Sequence, residues 1–172
     1  MPALADTLLR RRVHQLHRVL ERPGEELEAE SRLALVADRL GGHLSGRDGV
    51  HVPLRPSAPA RRLRDLLDSH FCEKFTLQEI SESLHVNPAH LVRAFRQEFG
   101  ITPHQYVIGR RVDLARKLLL QGMPPGAVAV TVGFYDQAHL GRHFRNLLGT
   151  SPMRFAHSNR GSPLLCPRGE ER

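Results

Sequence analysis

Apolar residues recur at three- and four-residue intervals along most of this chain, with charged residues between them. Such spacing places the apolar side chains on one face of an α-helix. Leu91, Phe95 and Phe99, for example, follow one another at steps of four residues. Between residues 60 and 159 no stretch shows the alternation that a half-buried strand requires. The pattern therefore predicts an all-α protein.

The first 44 residues are predicted to form a helical hairpin. Apolar positions have helical spacing over residues 3–20 and again over residues 25–44, and Pro23-Gly24 interrupts the series. Two short amphipathic helices joined by a tight turn cannot bury both apolar faces by themselves. We therefore expect residues 1–44 to pack on another domain or on a second copy of the chain.

Two segments lack this periodicity. Residues 45–59 are rich in Gly, Pro, Ser and Arg, and we interpret them as a linker. Residues 160–172 are predicted to form a disordered tail. The sequence thus divides into a hairpin, a linker, a helical module over residues 60–159 and a tail.

Within the module, the helix ends are marked by capping residues. Thr76 and Glu79 form the pattern of a capping box, and Asn87 before Pro88 is a strong start signal. Further helix starts are predicted at Thr102-Pro103, Asp136 and Ser151-Pro152. Glycines predict helix ends at Gly100, Gly122 and Gly149. These signals predict the bounds of each helix to within a few residues.

The module contains one unit twice. A short helix (Thr76–Leu84), a turn and a second helix (Pro88–Phe99) are repeated as Pro125–Val132, a turn and Gln137–Leu148. The internal phase also matches, since the run from Leu91 to Phe95 has the same Leu-x-Arg-x-Phe pattern as the run from Leu140 to Phe144. The repeat predicts two helix-turn-helix subdomains joined by a long linker helix. A major groove about 12 Å wide accepts one α-helix, so such a pair is suited to DNA.

The excess positive charge lies between Arg55 and Arg160. The formal net charge is +7, yet the Arg and the acidic residues balance in residues 1–54 and again in residues 161–172. A basic segment favours an acidic partner such as nucleic acid. No apolar run approaches the roughly 20 residues needed to span a bilayer, so we expect no membrane partner. We expect a reduced, cytoplasmic protein, because its two cysteines lie in unrelated contexts.

The sequence also offers no convincing metal, cofactor or catalytic site. His139 and His143 have a spacing that can bind a metal, but the sequence shows no evident third ligand. A DNA-repair methyltransferase fused to such a module would need a nucleophilic cysteine in a pocket, and residues 1–54 are too few for one. We therefore expect no enzyme, no metal and no cofactor.

Residues 60–159 resemble the DNA-binding domain of AraC/XylS-type bacterial transcription regulators. The run GFYDQAHLGRHFRNLLGTSP, from Gly133 to Pro152, looks like that family's signature, and LQEISESLHVNPAHLVRAFRQEFGITPHQYV is similar to its first unit. Residues 2–44 resemble the helical pair that ends the effector-binding domain of longer members. The resemblance implies a truncated or naturally shortened member, with double-stranded promoter DNA and RNA polymerase as partners and a possible homodimer through residues 1–44.

The resemblance also implies which positions face DNA bases. In the first unit these are Ala89, Val92 and Arg93, with Arg96 as a phosphate contact. In the second they are Gln137, Ala138, Gly141 and Arg142, with Arg145 as a phosphate contact. Helix geometry agrees, because Leu91, Phe95, Leu140 and Phe144 point inward on the opposite faces.

The sequence favours a sequence-specific transcription regulator, more often an activator in this family. Pro125 and Gly126 weaken the short helix of the second unit, and Gly141 removes a side chain from its reading face. We therefore expect the first unit to hold DNA more firmly than the second. Two alternatives stay open at this point, a non-specific architectural DNA-binding protein and the DNA-binding fragment of a larger ligand-responsive regulator.

Overall fold

Within residues 6–44 and 58–160, which the computed structural model describes, all regular secondary structure is α-helical. The helices are α1 (Thr7–Leu20), α2 (Glu26–Leu44), α3 (Ala58–His70), α4 (Leu77–Leu84), α5 (Pro88–Phe99), α6 (Pro103–Leu120), α7 (Pro125–Thr131), α8 (Gln137–Leu148) and α9 (Pro152–Arg160). This confirms the all-α prediction of a hairpin, two helix-turn-helix units and a long connecting helix. None of these described helices is both long and apolar enough to cross a membrane.

Most of the predicted linker and tail lies outside the described residues, namely residues 45–57 and 161–172. The helix ends between them lie where the capping residues predicted them. Thr76 and Glu79 form the capping box of α4, and the Asn87 side chain accepts from the backbone N–H groups of Ala89 and His90 at the start of α5. The last helix runs further than expected, to Arg160 instead of about His157.

The α1–α2 hairpin is closed by polar contacts as well as by its apolar seam. Asp6 caps α1 and lies 2.7 Å from both Arg39 Nε and His43 Nε2 on α2. Those two hydrogen bonds hold the pKa of the Asp6 carboxyl well below its usual range. Arg12 of α1 also donates to the backbone carbonyl of Leu35 at 3.0 Å. The two helices are therefore held together as one structural unit.

The first helix-turn-helix unit is built around Phe95. Its ring is fully buried, 4.6 Å from Phe99 and 5.6 Å from Tyr106 between ring centroids. The Tyr106 hydroxyl donates to Asp68 at 2.8 Å. The buried side chains around this ring come from α2 to α6: Leu27, Leu63, Leu67, Leu77, Ile80, Leu91, Val92 and Val107. The first unit therefore shares its core with α2.

The second helix-turn-helix unit has a core of its own. Phe144 is fully buried and packs edge-to-face on Phe155 of α9, with 5.5 Å between the ring centroids. His139 is also buried, and its ring lies 5.1 Å from that of Phe134. The other fully buried apolar residues of this unit include Leu119, Val128, Ala129, Val132 and Leu140. His139 thus has a packing role in this core.

The chain divides into two compact units, Met1–Arg111 and Val112–Arg172. The first contains the hairpin together with the first helix-turn-helix, and the second contains α7, α8 and α9. The predicted boundary between the hairpin, residues 1–44, and the linker that follows it stays a prediction.

Candidate nucleic-acid interface

In the second unit, the predicted reading positions lie on the face of α8 that points away from its core. Gln137 and Ala138 at the start of the helix are exposed, and Gly141 and Arg142 one turn later are half-buried. Arg145, the predicted phosphate contact, is exposed. Leu140 and Phe144 are fully buried on the opposite face, as their spacing predicted. The first two turns of α8 therefore present polar and small groups outward, as a groove-reading helix does.

α8 is capped at both ends. Asp136 caps the helix by accepting from the backbone N–H of His139 at 2.6 Å. The helix ends at Gly149, whose positive φ of 71° is the left-handed conformation that glycine adopts most easily. α7 forms from Pro125 onward, because proline is tolerated in a first turn, where the N–H would have no helical partner. Pro125 thus starts the short helix without breaking it.

In the first unit, two of the predicted reading positions are buried. Ala89 is 6% exposed and Val92 is fully buried, so the expectation from helix geometry that they face outward is wrong. Val92 belongs to the same apolar cluster as Leu27 of α2, against which Leu35 of α2 also packs. Val92 does lie on the side of α5 that the spacing predicts. That side is not exposed, because it packs in part against α2.

The two arginines of the same face remain partly exposed and meet the hairpin. Arg93 Nη1 lies 3.1 Å from Asp38 Oδ2 of α2. Arg96 lines a cavity of about 240 Å³ together with Arg12 and Leu35 of the hairpin. Burial, together with the positive charge of Arg39 and of Arg96, lowers the pKa of Arg12. In this conformation the predicted reading face of α5 is therefore in contact with the hairpin.

A buried ionic cluster holds the start of α2 against the start of α6. The ring nitrogens Nε2 and Nδ1 of His104 lie 2.8 and 3.3 Å from carboxylate oxygens of Glu25 and Glu28. All three residues are buried. Burial alone would lower the pKa of His104, but the two carboxylates raise it above its ordinary value. The folded state therefore favours protonated over neutral His104, since each buried carboxylate then has a positive partner.

Sequence reasoning predicted that the hairpin needs a packing partner but not which surface it packs on, and it missed this cluster. Ala89 and Val92 gave one usable signal, since apolar side chains at two reading positions are also typical of a packing face. The second signal was the hairpin itself, because its apolar faces required a partner. No signal near His104 in the sequence indicates that it contacts Glu25 and Glu28.

Comparisons with known proteins agree with the helix-turn-helix fold. Residues 80–158 match the sequence model of a family described as a helix-turn-helix domain. The chain is 30% identical over 128 residues to the uncharacterized HTH-type transcriptional regulator YbfI of Bacillus subtilis (strain 168), a match covering 74% of this chain and 46% of that protein. It is 34% identical over 90 residues to the probable transcriptional regulator LumQ of Photobacterium leiognathi, covering 52% of this chain and 36% of that protein. The chain thus spans about half or less of the length of these relatives.

Solved structures share the fold. The C-terminal domain of AraT, a response regulator from Geobacillus stearothermophilus, is 27% identical with a TM-score of 0.57, over 69% of this chain and 97% of that one. The DNA-binding domain of the global transcriptional factor AdpA, solved in complex with a target DNA, is 28% identical with a TM-score of 0.56, over 60% of this chain and 95% of that one.

Proposed function

Because this chain belongs to the AraC/XylS family of transcription regulators, we propose that it binds promoter DNA sequence-specifically and regulates transcription. The observation that carries this proposal is the pair of matched reading helices. α5 and α8 each have a side-chain cap at the start and a left-handed glycine at the end. Each also has a fully buried phenylalanine two residues after an arginine on the predicted reading face.

We propose that α8 reads bases through its first two turns. A helix with its side chains is about 10–12 Å across, and a major groove is about 12 Å wide. Arg142 can donate two hydrogen bonds to one guanine, which supplies about 1–3 kcal/mol of discrimination against other bases. Gln137 can pair in the same way with adenine, and Arg145 supplies a phosphate contact. In the bound complex α5 and α8 enter successive major grooves, roughly 34 Å apart.

Affinity in this proposal comes mainly from charge. The seven excess positive charges lie between residues 55 and 160. Each phosphate that a basic side chain neutralises releases counterions, so binding weakens steeply as salt rises. The base-reading side chains then decide which sequence is preferred.

Two further partners follow from the family by analogy. We propose that the bound protein contacts RNA polymerase, as an activator, since that is the more common mode of regulation in this family. We also propose that the hairpin supports a homodimer. Leu8, Val13, Leu20, Leu33 and Leu40 are exposed on its helices, and exposed apolar side chains on adjoining helices favour self-association. Sedimentation at increasing protein concentration tests this; a monomer at every concentration contradicts it.

The proposed function is tested by fluorescence anisotropy on two duplexes. One is selected by the full chain from a random-sequence library, and the other is a scramble of it, with a salt series for each. A preference of about 10³ or more for the selected duplex supports specific regulation. Equal and steeply salt-dependent binding indicates a non-specific architectural protein, and no binding at low salt contradicts the proposal.

A matched pair of variants tests whether α8 reads bases. Arg142→Ala should weaken binding to the selected duplex and reduce the preference over the scramble. Arg18→Ala removes the same charge from the exposed surface of α1 and should change neither. Equal losses in the two variants would show that Arg142 contributes charge alone.

A further inference from the structure

We infer that the α1–α2 hairpin competes with DNA for the reading face of α5, so that the first unit is autoinhibited while the hairpin is docked. This inference rests on the proposed function, because it concerns how the same DNA-reading helix is regulated. Three independent features of the contact lead to it: the area of α5 that is covered, the charges that meet there, and the width of the resulting helix pair.

The covered area coincides with the predicted reading face. Ala89, Val92, Arg93 and Arg96 lie on one side of α5 at three- and four-residue spacing. Ala89 and Val92 are buried, Arg93 is paired with Asp38, and Arg96 shares a cavity with the hairpin residues Arg12 and Leu35. Every predicted contact of the first unit is therefore either buried or faces the hairpin.

The contact places negative charges of α2 where we expect the negative charges of DNA to lie. Asp38 places a carboxylate against the guanidinium of Arg93, where a base or phosphate acceptor would lie in a complex. Glu30 of α2 accepts a hydrogen bond from the backbone N–H of Leu77, the first residue of α4. Helix N-termini are common phosphate contacts in helix-turn-helix proteins. The carboxylates of α2 thus occupy two positions that suit the anionic groups of a duplex.

The width of the pair makes docking and reading mutually exclusive. Packed helices lie about 8–10 Å apart, axis to axis, so α2 and α5 together are roughly twice as wide as one helix. A major groove about 12 Å wide accepts one helix. α5 can therefore enter a groove through this face only after α2 has moved away, and the cost of undocking reduces the apparent affinity for DNA.

The test compares two identical substitutions on α2. Leu35 is half-buried against the apolar cluster of the first unit and borders the cavity with Arg12 and Arg96. Leu35→Lys removes that apolar contact and adds a charge beside two arginines, so it should undock the hairpin. Leu33→Lys makes the same change at an exposed side chain of α2, which controls for the extra positive charge on DNA binding and for any effect on helix propensity. Because Leu33 also lies on the proposed dimer surface, both variants are compared at concentrations at which sedimentation shows them to be monomers.

Anisotropy with the selected duplex should show Leu35→Lys binding about tenfold tighter than Leu33→Lys, as expected when a half-buried leucine contact is lost. Equal affinities, with both variants binding DNA, overturn the inference and leave the proposed function intact. Absence of duplex binding by Leu35→Lys alone, with helical content unchanged by circular dichroism, overturns the inference; absence of binding by the wild type and by both variants overturns the proposed function as well.

A second measurement needs no substitution. Hydrogen exchange of the full chain is followed with and without the selected duplex, at residues 26–44. If the hairpin leaves α5 when DNA binds, the amides of α2 exchange faster in the complex. Unchanged or slower exchange of α2, together with protection of α8, means that the hairpin stays docked and overturns the inference.

Discussion

Nη1 of Arg93 lies 3.1 Å from Oδ2 of Asp38, so a side chain expected to read a base is paired within its own chain. Both side chains are partly exposed, and such pairs contribute about 0–1 kcal/mol. The ion pair is therefore too weak to hold the hairpin by itself. Its importance is positional, because it shows that α2 lies next to the predicted reading face of α5.

The two arginines at matched positions should differ in their effect on DNA binding. In the docked conformation the hairpin contacts the predicted reading face of α5, so Arg142→Ala should weaken binding to the selected duplex more than Arg93→Ala. This reverses the order expected from sequence, where Pro125, Gly126 and Gly141 made the second unit the weaker one. In the Leu35→Lys background the two losses should converge, each near 1–3 kcal/mol for one base contact. A larger loss from Arg93→Ala in the wild-type chain would contradict the docked arrangement in solution.

The buried His104 cluster should make stability depend on pH. The carboxylates of Glu25 and Glu28 raise the pKa of His104 despite its burial, so the folded state binds its proton more tightly than the unfolded state. The resulting stabilisation is complete below the ordinary histidine value of about 6.5 and is lost as pH rises through the raised value. Urea unfolding followed from about pH 5 to pH 9 should show this fall for the wild type.

His104→Gln should remove that fall, because glutamine does not titrate. His14→Gln changes an exposed histidine of α1 and should leave the pH profile as it is. A wild-type free energy of unfolding that rises through this pH range would contradict the assignment of a raised pKa to His104.

The cap of α8 should be measurable through a conservative pair of substitutions. Asp136 accepts a hydrogen bond from the backbone N–H of His139 at 2.6 Å. Asp136→Ala removes that acceptor and should lower the free energy of unfolding by about 0.5–2 kcal/mol. Asp136→Asn keeps an acceptor and should cost much less. Equal losses would indicate that the carboxylate acts by charge on the helix dipole and not as a cap.

Two glycines of the second unit should respond in opposite directions to the same change. A Cβ added at Gly141, within α8, meets nothing within 4 Å, so Gly141→Ala should stabilise the helix by about 0.5–1 kcal/mol. Gly149 has a φ of +71° at the helix end, where a side chain is strained, so Gly149→Ala should be destabilising. Thermal unfolding of both variants checks this, and a lower melting temperature for Gly141→Ala would contradict it.

The sequence by itself determined the helices and the faces that they bury. Caps such as Thr76, Asn87 and Asp136 act on backbone groups two or three residues away, so their effect is readable locally. The periodic leucines and phenylalanines likewise define an inner face, since side chains three and four apart share one side of a helix. The repeat, its fold and the outward side of α8 follow from these local rules.

Only the tertiary structure decided what covers α5. Ala89 and Val92 are on the face that the spacing predicts, yet both are buried, and Val92 shares an apolar cluster with Leu27 of α2. The apolar surface of the hairpin required a partner without specifying which, because hydrophobic burial is non-directional. His104 likewise meets Glu25 and Glu28 only after the chain has folded back. Contacts between residues far apart in sequence depend on how whole surfaces fit together, and no local pattern encodes that fit.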